Sequence, residues 1–265
     1  MLLQLPSVAV TGPLYASPSD WLVCSGLYLR RQGRVVLDQI NLQCRTGEWL
    51  ALVDPVGDTG AALLALIEGR VRPDAGTVRG ANGRQLGFAS VLGALRWPVG
   101  LTPRQLCAGL ERHLAAEQLA AYGLERRMDR PLGEWSALES RLLQLLLASA
   151  GPERTLLLDD PLRDLDPAAR TVFLRAAAAL RSRWPQALWR VPDFDGLQAC
   201  CERRIDLDQG RICGDRRVSR AGAAARPAPR GGWAPESVGR ESAPGGIRLS
   251  SSPPARSAAE CARCH

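Results

Sequence analysis

Apolar and polar residues alternate along the first part of the chain in a pattern that favours β-strands. Two such stretches, at residues 21–29 and 35–44, are separated by a Gln-Gly turn. A short, wholly apolar run at 49–53 follows, which is typical of a strand buried on both faces. A glycine-containing loop and the apolar helical segment 61–67 come directly after it. The predicted order is therefore strand, loop, helix.

The second half of the body alternates between predicted helices and predicted strands. A short strand at 86–89 comes first. A capping signal at Thr102 then opens a helix that runs to about residue 122, and Ser136, completed by Glu139, opens another that runs to residue 150. The remaining predicted elements are a buried strand at 155–160, a helix at 167–184, a strand at 187–191 and a strand pair at 204–212. Strands that alternate with helices predict an α/β fold with a largely parallel sheet.

Composition divides the chain into three parts. Residues 1–20 are an N-terminal extension, residues 21–217 are the α/β body, and residues 218–265 are rich in Ala, Arg, Pro, Gly and Ser with few large apolar residues. Such a tail cannot bury enough surface to offset its ordering entropy, so we expect it to be disordered. The start of the chain lacks a positively charged signal-peptide region, and no apolar stretch approaches the ~20 residues that cross a bilayer. We therefore expect a soluble, cytoplasmic protein.

The basic and histidine content excludes several kinds of chemistry. All 34 basic residues are Arg, since no Lys occurs in the chain, so mechanisms that need a lysine ammonium or a Schiff base are excluded. The only two His, at positions 113 and 265, lie far apart, which excludes a three-His metal site and a conventional histidine-centred triad. His113 is expected on the surface of the helix predicted before residue 122.

The net charge of +7 is concentrated near the end of the chain. Residues 218–265 hold seven Arg and three acidic residues. The body has no arginine stripe interleaved with aromatic residues, so we expect no specific nucleic-acid binding.

The eight cysteines have irregular spacings, and a core of this size folds without disulfides, so they indicate a reduced protein. Cys200 and Cys201 are adjacent, and we expect them to be buried cysteines of a helix. The chain ends with Cys261, Cys264 and His265 in a C-x-x-C-H pattern, which leaves three interpretations open: an incidental tail, transient metal binding and haem attachment. The sequence offers no second axial ligand and no haem pocket, so the incidental tail is the favoured interpretation.

Six short motifs stand in a fixed order along the body. They are VLDQINL at 36–42, GEWLALV at 47–53, PDAGTV at 73–78, LLLDDP at 156–161, LDP at 165–167 and DQGRI at 208–212. Together they resemble the ATP-binding cassette of ABC transporters over most of residues 21–217. The resemblance implies a P-loop NTPase-like fold with a mostly parallel sheet, an antiparallel β subdomain and a helical subdomain at about 95–150. It also implies ATP and Mg²⁺ as cofactors.

In this family, the loop after the buried strand holds the phosphates of ATP. Such a loop needs glycines whose N–H groups converge on the phosphates, a Lys that neutralises them, and a Ser or Thr hydroxyl on Mg²⁺. The residues at these positions are Asp54, Pro55, Val56, Gly57, Asp58, Thr59, Gly60, Ala61 and Ala62. Gly60 therefore stands in the place of the Lys, and Ala61 and Ala62 stand in the place of the hydroxyl residues. We predict that this loop mainly joins a strand to a helix.

The other motifs depart from the family pattern in the same direction. The signature that opens a helix in the family corresponds here to Ser136, Ala137, Leu138 and Glu139, which keep the serine and lose both glycines. The Q-loop glutamine is replaced near Val91, and the switch histidine is replaced by Pro192. The aromatic residue that stacks on adenine corresponds to Arg31, although Tyr28 lies close to that position.

Two acidic residues remain at the end of the strand predicted at 155–160. The resemblance implies that Asp159 helps to hold Mg²⁺ and that Asp160 stands where the family has its catalytic Glu. An Asp side chain is one methylene shorter than Glu, which is unfavourable for a general base at that position.

Three hypotheses about function follow from these observations. In the first, the chain is a cassette-like subunit that hydrolyses ATP poorly or not at all, and that acts as a structural or regulatory partner of a transporter membrane subunit and a second cassette, peripheral to the membrane. In the second, it is a divergent but active ATPase that takes its cations from Arg, with Arg70 as a candidate. In the third, it is an interaction scaffold that uses no nucleotide. The transported substrate and the direction of transport do not follow from the sequence.

Overall fold

A computed structural model describes residues 20–80, 87–110, 114, 116–153 and 155–218. His113, the N-terminal extension to residue 19 and the tail from residue 219, with its terminal C-x-x-C-H pattern, lie outside the described residues.

A three-stranded antiparallel sheet is formed by the first two strands and the strand that follows the first helix. Its members are β1 (Asp20–Arg31), β2 (Arg34–Arg45) and β4 (Ala75–Gly80), in the order β2-β1-β4. Along β2 and the second half of β1, buried and less buried residues largely alternate, as the hydrophobic pattern predicts, whereas the first five residues of β1 are all buried. The turn at 73–76 brings the chain back against β1, where the Asp74 N–H donates to the Tyr28 carbonyl at 2.9 Å.

The central sheet has six strands, of which five are parallel. They are β3 (Trp49–Val53), β5 (Phe88–Leu92), β6 (Thr155–Asp159), β7 (Gln186–Val191), β8 (Arg203–Asp208) and β9 (Arg211–Arg217). The spatial order is β5-β6-β7-β3-β8-β9, and only β9 pairs antiparallel with its neighbour. These pairings confirm the predicted α/β fold with a largely parallel sheet. As expected for strands covered on both faces, β3, β6 and β7 are buried over most of their length.

Five α-helices connect the strands among the described residues. They are α1 (Asp58–Ile67), α2 (Pro103–Gly109), α3 (Ala116–Ala121), α4 (Ala137–Ser149) and α5 (Pro167–Ala179). Both predicted capping boxes are present: Thr102 caps α2 and Ser136 caps α4. The continuous helix predicted after Thr102 is wrong, because α2 ends at Gly109, where glycine is a poor helix former. None of the helices in the described ranges is both long and apolar enough to cross a bilayer.

The core consists of two buried clusters, one on each face of the central sheet. One cluster packs α4 and α5 against the sheet around Trp49, Trp189 and Phe173, whose rings lie 6.0–6.2 Å apart. The Trp49 indole N–H donates to the Trp184 carbonyl at 2.9 Å. The other cluster joins α1 and the antiparallel sheet to the opposite face. Cys200 and Cys201 are buried as expected, although they follow a short 3₁₀ turn (Leu197–Ala199) rather than lie in an α-helix.

Gly76 is a position where the antiparallel sheet tolerates no side chain. Its φ is +88°, and a Cβ there would overlap the backbone carbonyl of Gly26 on β1. We therefore expect Gly76→Ala to lower the free energy of unfolding by about 1–3 kcal/mol more than Gly100→Ala. Gly100 is the matched control, because its φ is +81° and nothing lies within 4 Å of a Cβ there. Urea unfolding of both variants measures the difference, and equal losses would contradict a close approach at Gly76.

Candidate functional site

Three parallel strands end at one edge of the central sheet and bring distant residues together there. Arg190 on β7 is in register with Asp159 on β6 and with Leu52 on β3. The chain leaving β3 is held at this edge because the Asp54 N–H donates to the Val191 carbonyl at 2.9 Å. Crevices at the carboxyl ends of parallel strands are where α/β proteins bind ligands.

The loop between β3 and α1 satisfies its own polar groups. The buried Asp54 carboxylate accepts a hydrogen bond from the Gly60 N–H at 2.6 Å. The Thr59 hydroxyl is also engaged, accepting the Gly210 N–H at 3.1 Å. Gly57 has a φ of 93° and precedes the first residue of α1. A donor that would face a phosphate in an open anion site is thus bonded to a carboxylate of the same chain.

The remaining loop residues carry no group that replaces the missing lysine or hydroxyl. Pro55, Val56 and Asp58 are exposed, and Ala61 and Ala62 lie in the first turns of α1. Arg70, a candidate source of positive charge, follows the far end of α1 and pairs with Glu68. It therefore lies about 15 Å along the helix from the loop.

Arg190 supplies a cation at the loop that the sequence analysis did not find. Its Nε donates to the Asp159 carboxylate, and this ion pair joins β7 to β6. A Cβ placed at Gly60 would lie 2.9 Å from the Cγ and Cδ of Arg190. A Cβ placed at Gly57 would lie 3.3 Å from its Nη1. The arginine side chain therefore covers the two glycines of the loop.

Asp159 and Asp160 face different surroundings. Asp159 is paired with Arg190, whereas Asp160 has a φ of 49° and its N–H donates to the Arg190 carbonyl at 2.8 Å. Burial raises the pKa of the Asp160 carboxyl, an effect that the nearby charges of Arg190 and Arg163 partly offset. A cleft of about 220 Å³ opens beside Asp160 and is also lined by Pro192.

The turn after β6 packs tightly against the end of β5. The Gly93 N–H donates to the Asp159 carbonyl at 2.8 Å, and a Cβ at Gly93 would overlap the Asp160 carbonyl. Arg141 of α4 donates to the Gly93 carbonyl, so the helix is tied to the same turn. These contacts hold both aspartates in place through backbone groups.

The four signature-like residues close the N-terminus of α4. The Glu139 N–H donates to the Ser136 hydroxyl at 3.2 Å, and the Glu139 carboxylate accepts the Ser136 N–H at 2.8 Å and its hydroxyl at 2.9 Å. Arg127 pairs with the same carboxylate at 2.7 Å. Ala137 and Leu138 follow as the first two residues of the helix. The Glu139 carboxylate therefore takes both donors of the N-cap residue Ser136, and the Ser136 hydroxyl caps one N–H of the helix.

The other positions implied by the resemblance do not contribute polar groups to this edge. Val91 is fully buried on β5, and Pro192 has no side-chain donor. Arg31 is exposed at the end of β1, and Tyr28 is partly buried on the same strand.

The residues that correspond to the magnesium site do not fit that ion as they are placed. Asp159 is engaged by a guanidinium, and position 61 offers no hydroxyl. In the parts of the chain that the structure describes, no three His, Cys, Asp or Glu side chains are grouped so that they could hold a metal.

The sequence contains a feature that points to an ion pair involving Arg190. The strand ALWRV carries one charged residue in an otherwise apolar run, and the buried strand before it ends in two carboxylates. A charge in a buried strand requires a partner. The strand order, however, was needed to show which carboxylate that partner is.

The strand, loop and helix at this sheet edge, with an antiparallel sheet beside them and helices inserted between β5 and β6, define the fold as an ATP-binding cassette of the P-loop NTPase type. Solved structures support this. The chain matches cbiO1 from Clostridium perfringens with a TM-score of 0.64 and 16% identity, over 75% of this chain and 89% of that one. It matches a nucleotide-free ATP-binding cassette from an ABC transporter with a TM-score of 0.64 and 15% identity, over 76% and 92% of the two chains.

Sequence comparison extends the match from fold to family, although no family model matches the chain. The lipoprotein-releasing system ATP-binding protein LolD of Granulibacter bethesdensis is 33% identical over 207 residues, which cover 68% of this chain and 89% of the relative. The hemin import ATP-binding protein HmuV of Pseudomonas entomophila is 30% identical over 220 residues, or 70% and 82% of the two chains. The chain belongs to the ATP-binding subunits of ABC transporters.

The raised pKa of Asp160 predicts a pH-dependent gain in stability when the charge is removed. Because the folded state holds the proton more tightly than the unfolded state, ionisation costs stability as pH rises from the ordinary value of 3.8 through the raised pKa. Asp160→Asn is expected to raise the free energy of unfolding at pH 7 by about 0.5–1 kcal/mol, a small gain because solvent screens a half-buried carboxyl. Asn also tolerates the positive φ.

Urea unfolding at pH 3 and pH 7 tests this prediction. The gain should be present at pH 7 and absent at pH 3. The exposed Asp195→Asn is the matched control and should show no such difference between the two pH values. A gain of equal size at both pH values would show that it does not come from the carboxyl charge.

Proposed function

We propose that the chain is a transporter-associated cassette subunit that binds ATP weakly or not at all and does not hydrolyse it. Its role is then structural or regulatory. The observation that carries this proposal is the hydrogen bond between the Asp54 carboxylate and the Gly60 N–H, because the loop uses its own anion where the family uses a phosphate.

The charges around the loop support weak nucleotide binding. The acidic side chains at this edge are Asp54, Asp58, Asp159 and Asp160, and Arg190 is the cation that lies against the loop. Loss of a lysine contact removes a charge-assisted hydrogen bond of about 1.5–3 kcal/mol, and repulsion between the carboxylates and a triphosphate adds to the loss. A micromolar site would become roughly millimolar or weaker.

The residues placed for hydrolysis support the same proposal. Asp160 stands at the position of the catalytic Glu, but its side chain is one methylene shorter, which is unfavourable for a general base at that position. Pro192 offers no imidazole. With Asp159 bound to Arg190, none of the residues that the structure describes at this edge is placed to hold Mg²⁺ on a nucleotide in the manner of the family.

The signature-like segment supports a role that does not depend on a partner's ATP. In the family, one chain's signature helix completes the site on another chain's phosphate loop. Here the Ser136 N–H and hydroxyl are both bonded to Glu139, and Leu138 replaces a glycine that would allow backbone approach. A paired cassette would therefore gain little from this chain's contribution to its γ-phosphate.

The relatives support association with a transporter. LolD is named as part of a lipoprotein-releasing system, and HmuV and a ZnuC relative from Alkalilimnicola ehrlichii are named as import ATP-binding proteins. The resemblance implies that the region around Trp97 and residues 101–110 meets the membrane subunit. In this region Val99 is fully exposed and Leu110 is half exposed. We place the chain at the inner face of the membrane, held there by a membrane subunit and paired with a second cassette.

One observation favours the second hypothesis, a divergent ATPase that uses arginine. The Arg190 guanidinium lies against the loop glycines and could contact a phosphate if it left Asp159. Measurement of nucleotide binding separates this hypothesis from the proposal. Copurification with transporter membrane subunits separates both from a nucleotide-free scaffold that works outside a transporter.

Titration calorimetry with ATP and Mg²⁺ tests the proposed function. The wild-type chain should show no binding at ATP concentrations below about 1 mM. A restored variant that combines Asp54→Gly, Gly60→Lys, Ala61→Ser and Arg190→Ala should bind at least about tenfold more tightly, because it regains the ammonium and the hydroxyl and loses the internal carboxylate.

Phosphate release by the wild-type chain is measured in parallel and should equal the background without protein. Micromolar binding by the wild type, or phosphate release above background that Asp160→Asn abolishes, would contradict the proposal and favour the divergent ATPase. Circular dichroism establishes that each variant is folded.

A further inference from the structure

Arg190 lies in a position where a charged side chain is costly unless it has a specific task. It belongs to the central strand β7, between β6 and β3, and its side chain is only 14% exposed. A guanidinium with so little exposure to solvent requires a charged partner. Its partner is Asp159, the residue that the family uses toward Mg²⁺, and the two side chains come from strands 31 residues apart.

The same side chain occupies the space above the loop. The Cγ and Cδ atoms of Arg190 would be 2.9 Å from a Cβ at Gly60, closer than real Cβ contacts allow. The position of the family's lysine therefore accommodates glycine here because the arginine stem packs over it. Nη1 reaches Gly57, so the guanidinium spans the loop from one glycine to the other.

We propose that Arg190 is the residue that excludes nucleotide from this cassette: its side chain fills the phosphate loop and its guanidinium, paired with Asp159, takes the place of both the loop lysine and the metal. This inference rests on the proposed function and assigns its cause to one side chain. It also explains why position 60 is a glycine, since any larger residue there must displace the arginine side chain.

The charges at this edge favour exclusion over phosphate binding by Arg190. To contact a phosphate, the guanidinium would have to leave Asp159, which would then stand unpaired beside the incoming anion. Asp54 and Asp160 would add two further carboxylates near the same anion. Removal of one partner from this partly buried pair is unfavourable because the remaining charge is left uncompensated.

The decisive experiment compares two variants that differ only at Arg190. The first combines Asp54→Gly, Gly60→Lys and Ala61→Ser, and the second adds Arg190→Ala. In the first variant, the lysine side chain introduced at position 60 competes with Arg190 for the same space, so we expect a lower melting temperature than for the second. Titration calorimetry with ATP and Mg²⁺ should show no gain over wild type for the first, because the two side chains crowd the loop, and at least tenfold tighter binding for the second. The control adds Arg216→Ala to the first variant. This change removes an arginine of the outermost strand, β9, which pairs with Asp206, and it should have no effect on ATP binding.

A thermal unfolding cycle tests the pair without relying on nucleotide binding. Arg190→Gln and Asp159→Asn should each lower the melting temperature by several degrees, and the double variant should lose less than the sum of the two. Strictly additive losses would show that Arg190 and Asp159 do not stabilise each other, and would contradict the ion pair on which the inference depends. This cycle also applies if the four-residue variant does not fold.

The outcomes distinguish the inference from the proposed function. If the folded three-residue and four-residue variants bind ATP equally while the wild type does not bind, Arg190 is not the excluding residue, and the proposed function stands. If the wild type binds ATP and Arg190→Ala weakens that binding, Arg190 is a phosphate ligand, and both the inference and the proposed function fail.

Discussion

The parallel alignment of β6, β7 and β3 is the constraint on which the rest of the structure depends. Each of these strands is short and apolar, so they are stable only when packed together between helices and the antiparallel sheet. Their parallel register places Asp159, Arg190 and the start of the loop at Asp54 at one edge. The Asp159–Arg190 ion pair and the packing of Arg190 over the loop at 54–60 follow from that meeting point.

Carboxylates of the chain itself lie at the N-termini of two helices, α1 and α4. Helix N-termini attract anions because their first N–H groups have no partner in the helix. At α1 the Asp54 carboxylate accepts one of these N–H groups, and at α4 the Glu139 carboxylate completes a capping box with Ser136. Both arrangements stabilise the fold without a bound molecule. Under the proposed function, the same carboxylates also repel a nucleotide, so stability and weak binding have one physical cause.

The chain keeps the cassette fold while its loop and signature residues depart from the family pattern, which is consistent with the proposed role of a subunit whose shape matters more than its chemistry. The turn after β6 remains tightly packed through Gly93 and Arg141, and Asp166 still caps α5. These contacts stabilise the turn after β6 and the start of α5 without a bound ligand. Hydrolysis needs a phosphate, a metal and a base together, whereas assembly needs only the surfaces, so a cassette can keep assembly after it loses hydrolysis.

The sequence by itself determined the elements, their order and the departure of the loop from the family pattern, because strands, caps and motifs are local features that neighbouring residues encode. Both capping boxes and the buried strands could be predicted in this way. It did not determine that α2 ends at Gly109, or that Arg190 covers the loop. The pairing of Arg190 with Asp159 was decided only by the tertiary structure, since it depends on which strands are neighbours and in which register, and no local pattern specifies either.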